Sequence, residues 1–303
     1  MKVRAPGKLL LSGAYAVLEG APAIVVAVDR YAIADDAREA TTPSHEVRAA
    51  FGARAAPHVD ASALHDEAGH KLGLGSSAAV LVASLATRAA REGALLDDAA
   101  TRRRLFDEAC AAHAMAQGGG SGVDVAASVH GGALRFQRGP GGARMDAVEL
   151  PRGLVMSVSW SGKSARTSEL RARVDALRAR DAARYAACFA ALTRAAIASS
   201  DAVATHDLAA LLSAARVGAA ALAALGSAAD APIVPPAFAE LAAVAELHGA
   251  VFFPSGAGGG DVGVHLGAAP PSAPFLACAD KLGMHPLAIA IDRGGVQLLA
   301  LPH

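Results

Sequence analysis

Neither sign of charge predominates in this chain, and cysteine is scarce. The 28 basic and 28 acidic residues cancel to a formal net charge of zero. That argues against a global nucleic-acid footprint or a charged membrane-binding surface, and leaves the steering of any anionic ligand to a local site. The three cysteines, Cys110, Cys188 and Cys278, stand far apart without CxxC or CxxH spacing. This disfavours a zinc site or a disulfide scaffold and reads as buried, reduced thiols. A hydrophobic signal core is absent after Met1-Lys2-Val3-Arg4-Ala5-Pro6, and no run of about 18 apolar residues is free of charge or helix breakers. A soluble, cytoplasmic protein is expected, with neither a membrane nor a nucleic-acid partner. No repeat of fixed period is visible. Ala and Arg are abundant and Lys is sparse, a bias that carries no chemistry.

What is present is apolar mass. The 303 residues are 53% hydrophobic with a mean hydropathy of +0.34, enough to fill the cores of two modest domains. Short apolar strands are expected over Lys8–Ser12 and Ala23–Asp29. Residues 30–70 have a poor helical period and read as further strands and loops, with a mobile lip over Pro57–Gly69. Helical spacing recurs over Ser76–Arg91 and Ala99–Met115. A short helical turn after Asp124 leads to a strand over Ala133–Gln137, a glycine loop at 139–142 and a further segment, Met145–Leu150. The first domain closes near residue 152. The second, 153–303, opens with a strand, Leu154–Trp160, and continues with helices over roughly 168–178, 182–199, 206–225 and 236–248. It ends in strands over 251–254, 262–266, 287–291 and 296–301, with a helix over 272–282. The fold class is α+β, with an antiparallel sheet in the second half.

Chemistry concentrates in four glycine-rich clusters. Lys71-Leu72-Gly73-Leu74-Gly75-Ser76-Ser77-Ala78-Ala79 joins a flexible turn and two hydroxyls to the start of an apolar helix. Backbone N–H groups and the positive end of the helix dipole favour an anion there. The plainer alternative is that the serines merely cap the helix. Neither GxxxxGK[ST] nor a strand-led GxGxxG occurs, so the two common nucleotide loops are set aside. In Pro6-Gly7-Lys8-Leu9-Leu10-Leu11-Ser12-Gly13, a lysine sits in an apolar strand. It either meets an anion or carboxylate or points from an edge strand to solvent. Gly118 to Ser128 presents Ser121 and Asp124 before a small-residue helix; Asp124 is placed as an acid or base, or as a simple cap. Pro254-Ser255-Gly256-Ala257-Gly258-Gly259-Gly260-Asp261 follows a buried strand and offers N–H groups in a concave turn, or is a tight structural turn.

In this order the clusters resemble the GHMP kinase superfamily, whose three motifs match 6–17, 71–79 and 254–264. Three details resemble its phosphomevalonate kinase family: His113 to Gly118 leading into Gly120-Ser121-Gly122-Val123-Asp124, Trp160 to Ser168, and the triple glycine before Asp261. Mevalonate kinases usually carry a glutamate where His113 stands. The resemblance implies an N-terminal domain like ribosomal protein S5 domain 2, a ferredoxin-like C-terminal domain, and an active site in the cleft between them. It implies ATP and Mg²⁺, and phosphorylation of mevalonate 5-phosphate to the 5-diphosphate by a monomer or homodimer. Gly73, Leu74, Gly75, Ser76, Ser77 and Ala78 would then cradle the ATP phosphates, with Ser76 on Mg²⁺. Lys8 and Asp124 would be catalytic. Ser121, Lys163, Arg166, Ser255, Gly256, Ala257, Gly258 and Gly259 would bind the acceptor. One departure stands out: relatives carry Gly-Glu in the first motif, and here it is Gly13-Ala14, so a carboxylate is missing. The alternatives are another kinase of the superfamily, such as a mevalonate kinase, a related decarboxylase, and a non-catalytic metabolite sensor of the same fold.

Overall fold

The computed structural model describes residues 1–299. By the density of its internal contacts the chain divides into two compact units, one comprising residues 1–9, 25–134 and 290–299, the other 10–24 and 135–289. Strands β1 (Lys2–Ser12), β2 (Ala23–Glu39), β3 (Pro57–Asp60), β4 (Ala133–Gly139) and β5 (Gly142–Val148) form the first sheet together with β10 (Gln297–Leu299). Its order is β10-β1-β2-β4-β5, with β3 on β2. β1 is buried along most of its length, with Val3, Ala5, Leu9, Leu10 and Leu11 inside, as befits a strand paired on both sides, by β10 and β2. Its antiparallel register with β10 pairs Arg4 with Gln297, and the Arg4 guanidinium donates to Gln297 Oε1 at 2.7 Å.

In the first unit, helices α1 (His45–Phe51), α2 (Ser76–Arg91), α3 (Ala99–Gln117) and α4 (Val123–His130) pack against one another. α2 buries Ala78, Ala79, Leu81, Val82, Leu85, Ala86 and Ala89, the stripe its periodicity anticipates. α3 starts at Asp98, whose carboxylate accepts from the Thr101 N–H at 2.8 Å, and stops at the left-handed Gly118.

The second unit carries an antiparallel sheet ordered β7-β8-β6-β9, built from β6 (Val155–Trp160), β7 (Val251–Pro254), β8 (Val262–Gly267) and β9 (His285–Leu287). Its helices are α5 (Thr167–Arg180), α6 (Ala182–Ala204), α7 (Leu208–Ala229), α8 (Pro236–Leu247) and α9 (Ala273–Lys281). Phe238, Leu241, Phe252 and Phe275 fill the core under α8 and α9. α6 and α7 are long and apolar enough to cross a membrane by length and composition. They pack on each other and bury Phe189, Leu192, Leu211, Leu222 and Leu225.

The α+β expectation holds, and four local expectations change. Residues 45–51 are helical, because Ser44 caps them by accepting from the Val47 N–H at 3.3 Å. The segment expected to be a mobile lip contains β3, paired to β2, followed by a 3-10 turn whose Leu64 is fully buried. The strand expected over 287–291 ends at Leu287, and Ile291 makes only an isolated bridge to Val28. The cysteines are free thiols but half-buried rather than fully enclosed. Of the strand expected over 296–301, 297–299 is formed and 300–301 lie outside the described residues.

Candidate active site

Three of the four clusters meet in the first unit. Lys8 lies on β1 and its N–H donates to Leu74 O at 2.8 Å, which sets the glycine turn directly on the strand. Gly7 has no room for a side chain there: a Cβ would stand 2.6 Å from Leu74 O. On the other side, the Ser128 hydroxyl of α4 donates to Pro6 O at 2.8 Å. With the turn and α4 both tied to β1, the Lys8 ammonium reaches Asp124 Oδ1 at 3.7 Å. Gly75 covers the pair: in its left-handed conformation (φ 76°), a Cβ would sit 3.0 Å from Lys8 Cγ and 3.7 Å from Asp124 Oδ2. Lys8 is therefore not an edge-strand lysine. Its side chain is 7% exposed, against 38% for Asp124, so the cation is enclosed while the carboxylate reaches solvent.

The plainer readings of both helix starts fail. The residue capping α2 is Gly75, with no side-chain cap, and the one capping α4 is Gly122, again with none. The first N–H of α2 to bond within the helix is Ala79, to Gly75 O at 3.1 Å, so those of Ser76, Ser77 and Ala78 precede the ladder. Among the described residues, the hydroxyls of Ser76 and Ser77 form no hydrogen bond within the protein. Donors and a dipole end are thus gathered beside a buried cation. Ser121 accepts from the Val123 N–H at 3.3 Å, which shapes the entry to α4. His113 packs against the same turn, its Nδ1 3.2 Å from where a Gly120 Cβ would be.

The fourth cluster belongs to the second unit, where Asp261 organises it. The Asp261 N–H donates to Lys163 O at 2.8 Å, and its carbonyl accepts from the Ser161 N–H at 2.9 Å. Its carboxylate accepts from the Ala165 N–H at 2.9 Å. The loop carrying Lys163 and Arg166 is thereby held to the turn 256–260. Lys163 is exposed, and Arg166 is exposed with Glu169 2.8 Å away. Ser255 engages both its donors internally: its N–H meets Val262 O, and its hydroxyl exchanges hydrogen bonds with the Leu10 N–H and C=O. The serine therefore braces the turn.

Two residues of this cluster escaped sequence reasoning. Asp261 was visible only as the end of a glycine run, and its positive φ of 54° was not. Tyr15 is buried, and its hydroxyl donates to Ala257 O at 2.8 Å; burial pushes that hydroxyl's pKa far up, against a smaller opposing pull from Arg171. The nearest sequence signal was an aromatic directly after Gly13-Ala14. Ala14 itself lines a small cavity of about 30 Å³ with Leu192, Ala195, Leu222 and Phe253, and no charged residue lines it. A carboxylate at this position would lack a cation among those residues, so the alanine suits its surroundings.

A buried lysine paired with a carboxylate, beside a glycine turn opening a helix, can hold and neutralise the anionic groups that phosphoryl transfer handles. No family model matches the chain. It is 30% identical to the phosphomevalonate kinase of Streptomyces sp. (strain CL190), over 86% of this chain and 88% of that one. Its fold matches Streptococcus pneumoniae phosphomevalonate kinase in complex with phosphomevalonate and AMPPNP at a TM-score of 0.79, with 20% identity over 96% and 99% of the two chains. It matches L. major mevalonate kinase in complex with R-mevalonate at 0.64, with 20% identity over 93% and 90%. The chain belongs to the GHMP kinase superfamily, as a small-molecule kinase.

Proposed function

We propose that this chain transfers the γ-phosphoryl group of ATP to the phosphate of mevalonate 5-phosphate, giving mevalonate 5-diphosphate and ADP. The observation that carries the reading is the enclosed Lys8 ammonium, 3.7 Å from Asp124 and covered by Gly75. The 30% identity to a phosphomevalonate kinase supports the choice of acceptor. The turn Gly73-Leu74-Gly75 and the N–H groups of Ser76, Ser77 and Ala78 hold the nucleotide's phosphates. Lys8 neutralises charge as the bond from the γ-phosphorus to the bridging oxygen breaks and the bond to the acceptor oxygen forms. Such transfer depends mainly on alignment and on stabilising spread charge. Asp124 keeps the ammonium in place and orients the attacking oxygen. Because a phosphate acceptor is already ionised, little proton removal is asked of it. Ser121, Lys163, Arg166 and the backbone of 256–259 bind the acceptor.

Among the described residues no three His, Cys, Asp or Glu side chains cluster to cage a metal. The Ser76 hydroxyl, unengaged within the protein, and the solvent-reaching Asp124 carboxylate nevertheless suit Mg²⁺, which takes few protein ligands when phosphates supply the rest. When bound, Mg²⁺ would offset charge on the phosphates. A soluble, cytoplasmic enzyme fits this reading.

The test is to incubate the protein with Mg-ATP and, separately, mevalonate, mevalonate 5-phosphate and mevalonate 5-diphosphate, following ADP and CO₂ together. ADP with the 5-phosphate alone, and no CO₂, is the expected result. ADP with mevalonate alone moves the acceptor assignment, and CO₂ release makes the protein a decarboxylase. Silence with all three overturns the reading.

A further inference from the structure

We propose that the first unit carries a second anion site, at the C-terminal end of α2, that takes a small phosphate-bearing polyanion. A cavity of about 610 Å³ opens there between the end of β2, the loop after α1 and the last turn of α2. That volume falls in the range of small-molecule sites. Four guanidinium groups line it, those of Arg38, Arg54, Arg88 and Arg91. α2 spans 16 residues, about 24 Å of helix, so the cavity and the Ser76 phosphate turn lie at opposite ends of one rod and are separate sites.

The arginines are not used up by the fold. Arg88 pairs with Glu108 through Nη2 and stacks over the Phe51 ring at 5.1 Å, yet its Nη1 is buried with no partner among the described residues. A buried donor left unmade is costly, and Arg88 lines the cavity. Among the described residues Arg54 makes only a long 3.4 Å bond to Phe51 O. Arg38 and Arg91 are exposed and form no hydrogen bond or ion pair among the described residues. Three carboxylates also line the cavity: Asp36 is already held by the chain's terminal ammonium, while Glu39 and Glu92 are exposed. These acids and the negative end of the α2 dipole oppose any anion, so the guanidinium groups must outweigh them. An anion able to bridge two guanidinium forks at once does so, in the geometry by which Arg recognises phosphate.

Inorganic pyrophosphate is the probe. Its binding to the full chain is measured calorimetrically for wild type, for Arg38→Gln/Arg91→Gln and for Lys8→Met. Both arginines are exposed and unbonded, so the double variant folds and keeps its unliganded kinase activity. The expected result is that wild type and Lys8→Met both bind pyrophosphate at this site. The double variant should bind at least about tenfold more weakly, the scale of losing one charge-assisted hydrogen bond or more. Undiminished binding in the double variant overturns the proposal. So does loss of all pyrophosphate binding in Lys8→Met, since the anion then occupies only the phosphate turn.

Discussion

Replacing Lys8 by Met removes a cation and keeps most of the side chain's volume, so its consequences follow from charge. At the 3.7 Å that separates Lys8 from Asp124, two unit charges attract by about 4.5 kcal/mol at an effective dielectric of about 20. With 38% of the Asp124 side chain exposed, solvent screens that attraction to about 2 kcal/mol. The two halves of the pair are not equivalent. Lys8→Met leaves a carboxylate that reaches water, and the stability cost is about 1 kcal/mol. Asp124→Asn leaves an enclosed ammonium without its partner and costs about 3 kcal/mol. Activity runs the other way. In the role proposed for it, Lys8 is a preorganised charge at the transferring phosphoryl, and kcat should fall about 10²- to 10³-fold on its loss. Asp124→Asn should cost kcat about tenfold, below the usual general-base range of about 10²- to 10⁴-fold, because the oxygen of the proposed phosphate acceptor is already ionised. Urea unfolding reads the stabilities and enzyme-coupled ADP release reads kcat. A Lys8→Met variant less stable than Asp124→Asn, or one that turns over like wild type, contradicts these charge assignments.

Three further outcomes are expected. Gly75→Ala forces a side chain into a left-handed conformation, costing about 1–2 kcal/mol, and sets its Cβ 3.0 Å from Lys8 Cγ; thermal unfolding should show the loss and kcat should fall with it. Tyr15→Phe deletes the hydrogen bond to Ala257 O at a cost of about 1 kcal/mol. It loosens the 256–260 turn, proposed to bind the acceptor, so KM for the acceptor should rise more than kcat falls, while KM for ATP stays put. His130 and His265 both have pKa values lowered from 6.5, first by burial and for His130 also by Arg102 and Arg103. Neutral imidazoles are therefore favoured in the fold, and the stability they contribute is present above pH 6.5 and lost as pH falls through their depressed values. A melting temperature followed downward from neutral pH should drop faster in wild type than in His265→Phe.

Where local chemistry decides the structure, the sequence was legible. Ser76–Arg91 has an uninterrupted apolar period and glycines at its entry, and α2 occupies those residues. Lys8 stood out because an apolar strand cannot hold an ammonium without a partner, and Asp124 is that partner. Which pairs with which was not legible, since the contact joins residues more than a hundred positions apart through a glycine whose role is to have no Cβ. Short elements were also hidden: α1 is seven residues long, too short for its period to show, and only Ser44 marked its start. Ser255 looked like a ligand donor because its partner, Leu10, is 245 residues away. The bracing by Asp261 and Tyr15 rests on long-range hydrogen bonds to backbone, which no side-chain pattern announces.

The most direct test of the account is the ratio of kcat/KM for mevalonate 5-phosphate to that for mevalonate, measured in one preparation with saturating Mg-ATP. A site built around an anionic acceptor should favour the phosphate by at least about 100-fold, since polar groups left unpaired by the wrong substrate penalise it heavily. A ratio near one, or one favouring mevalonate, would contradict the account.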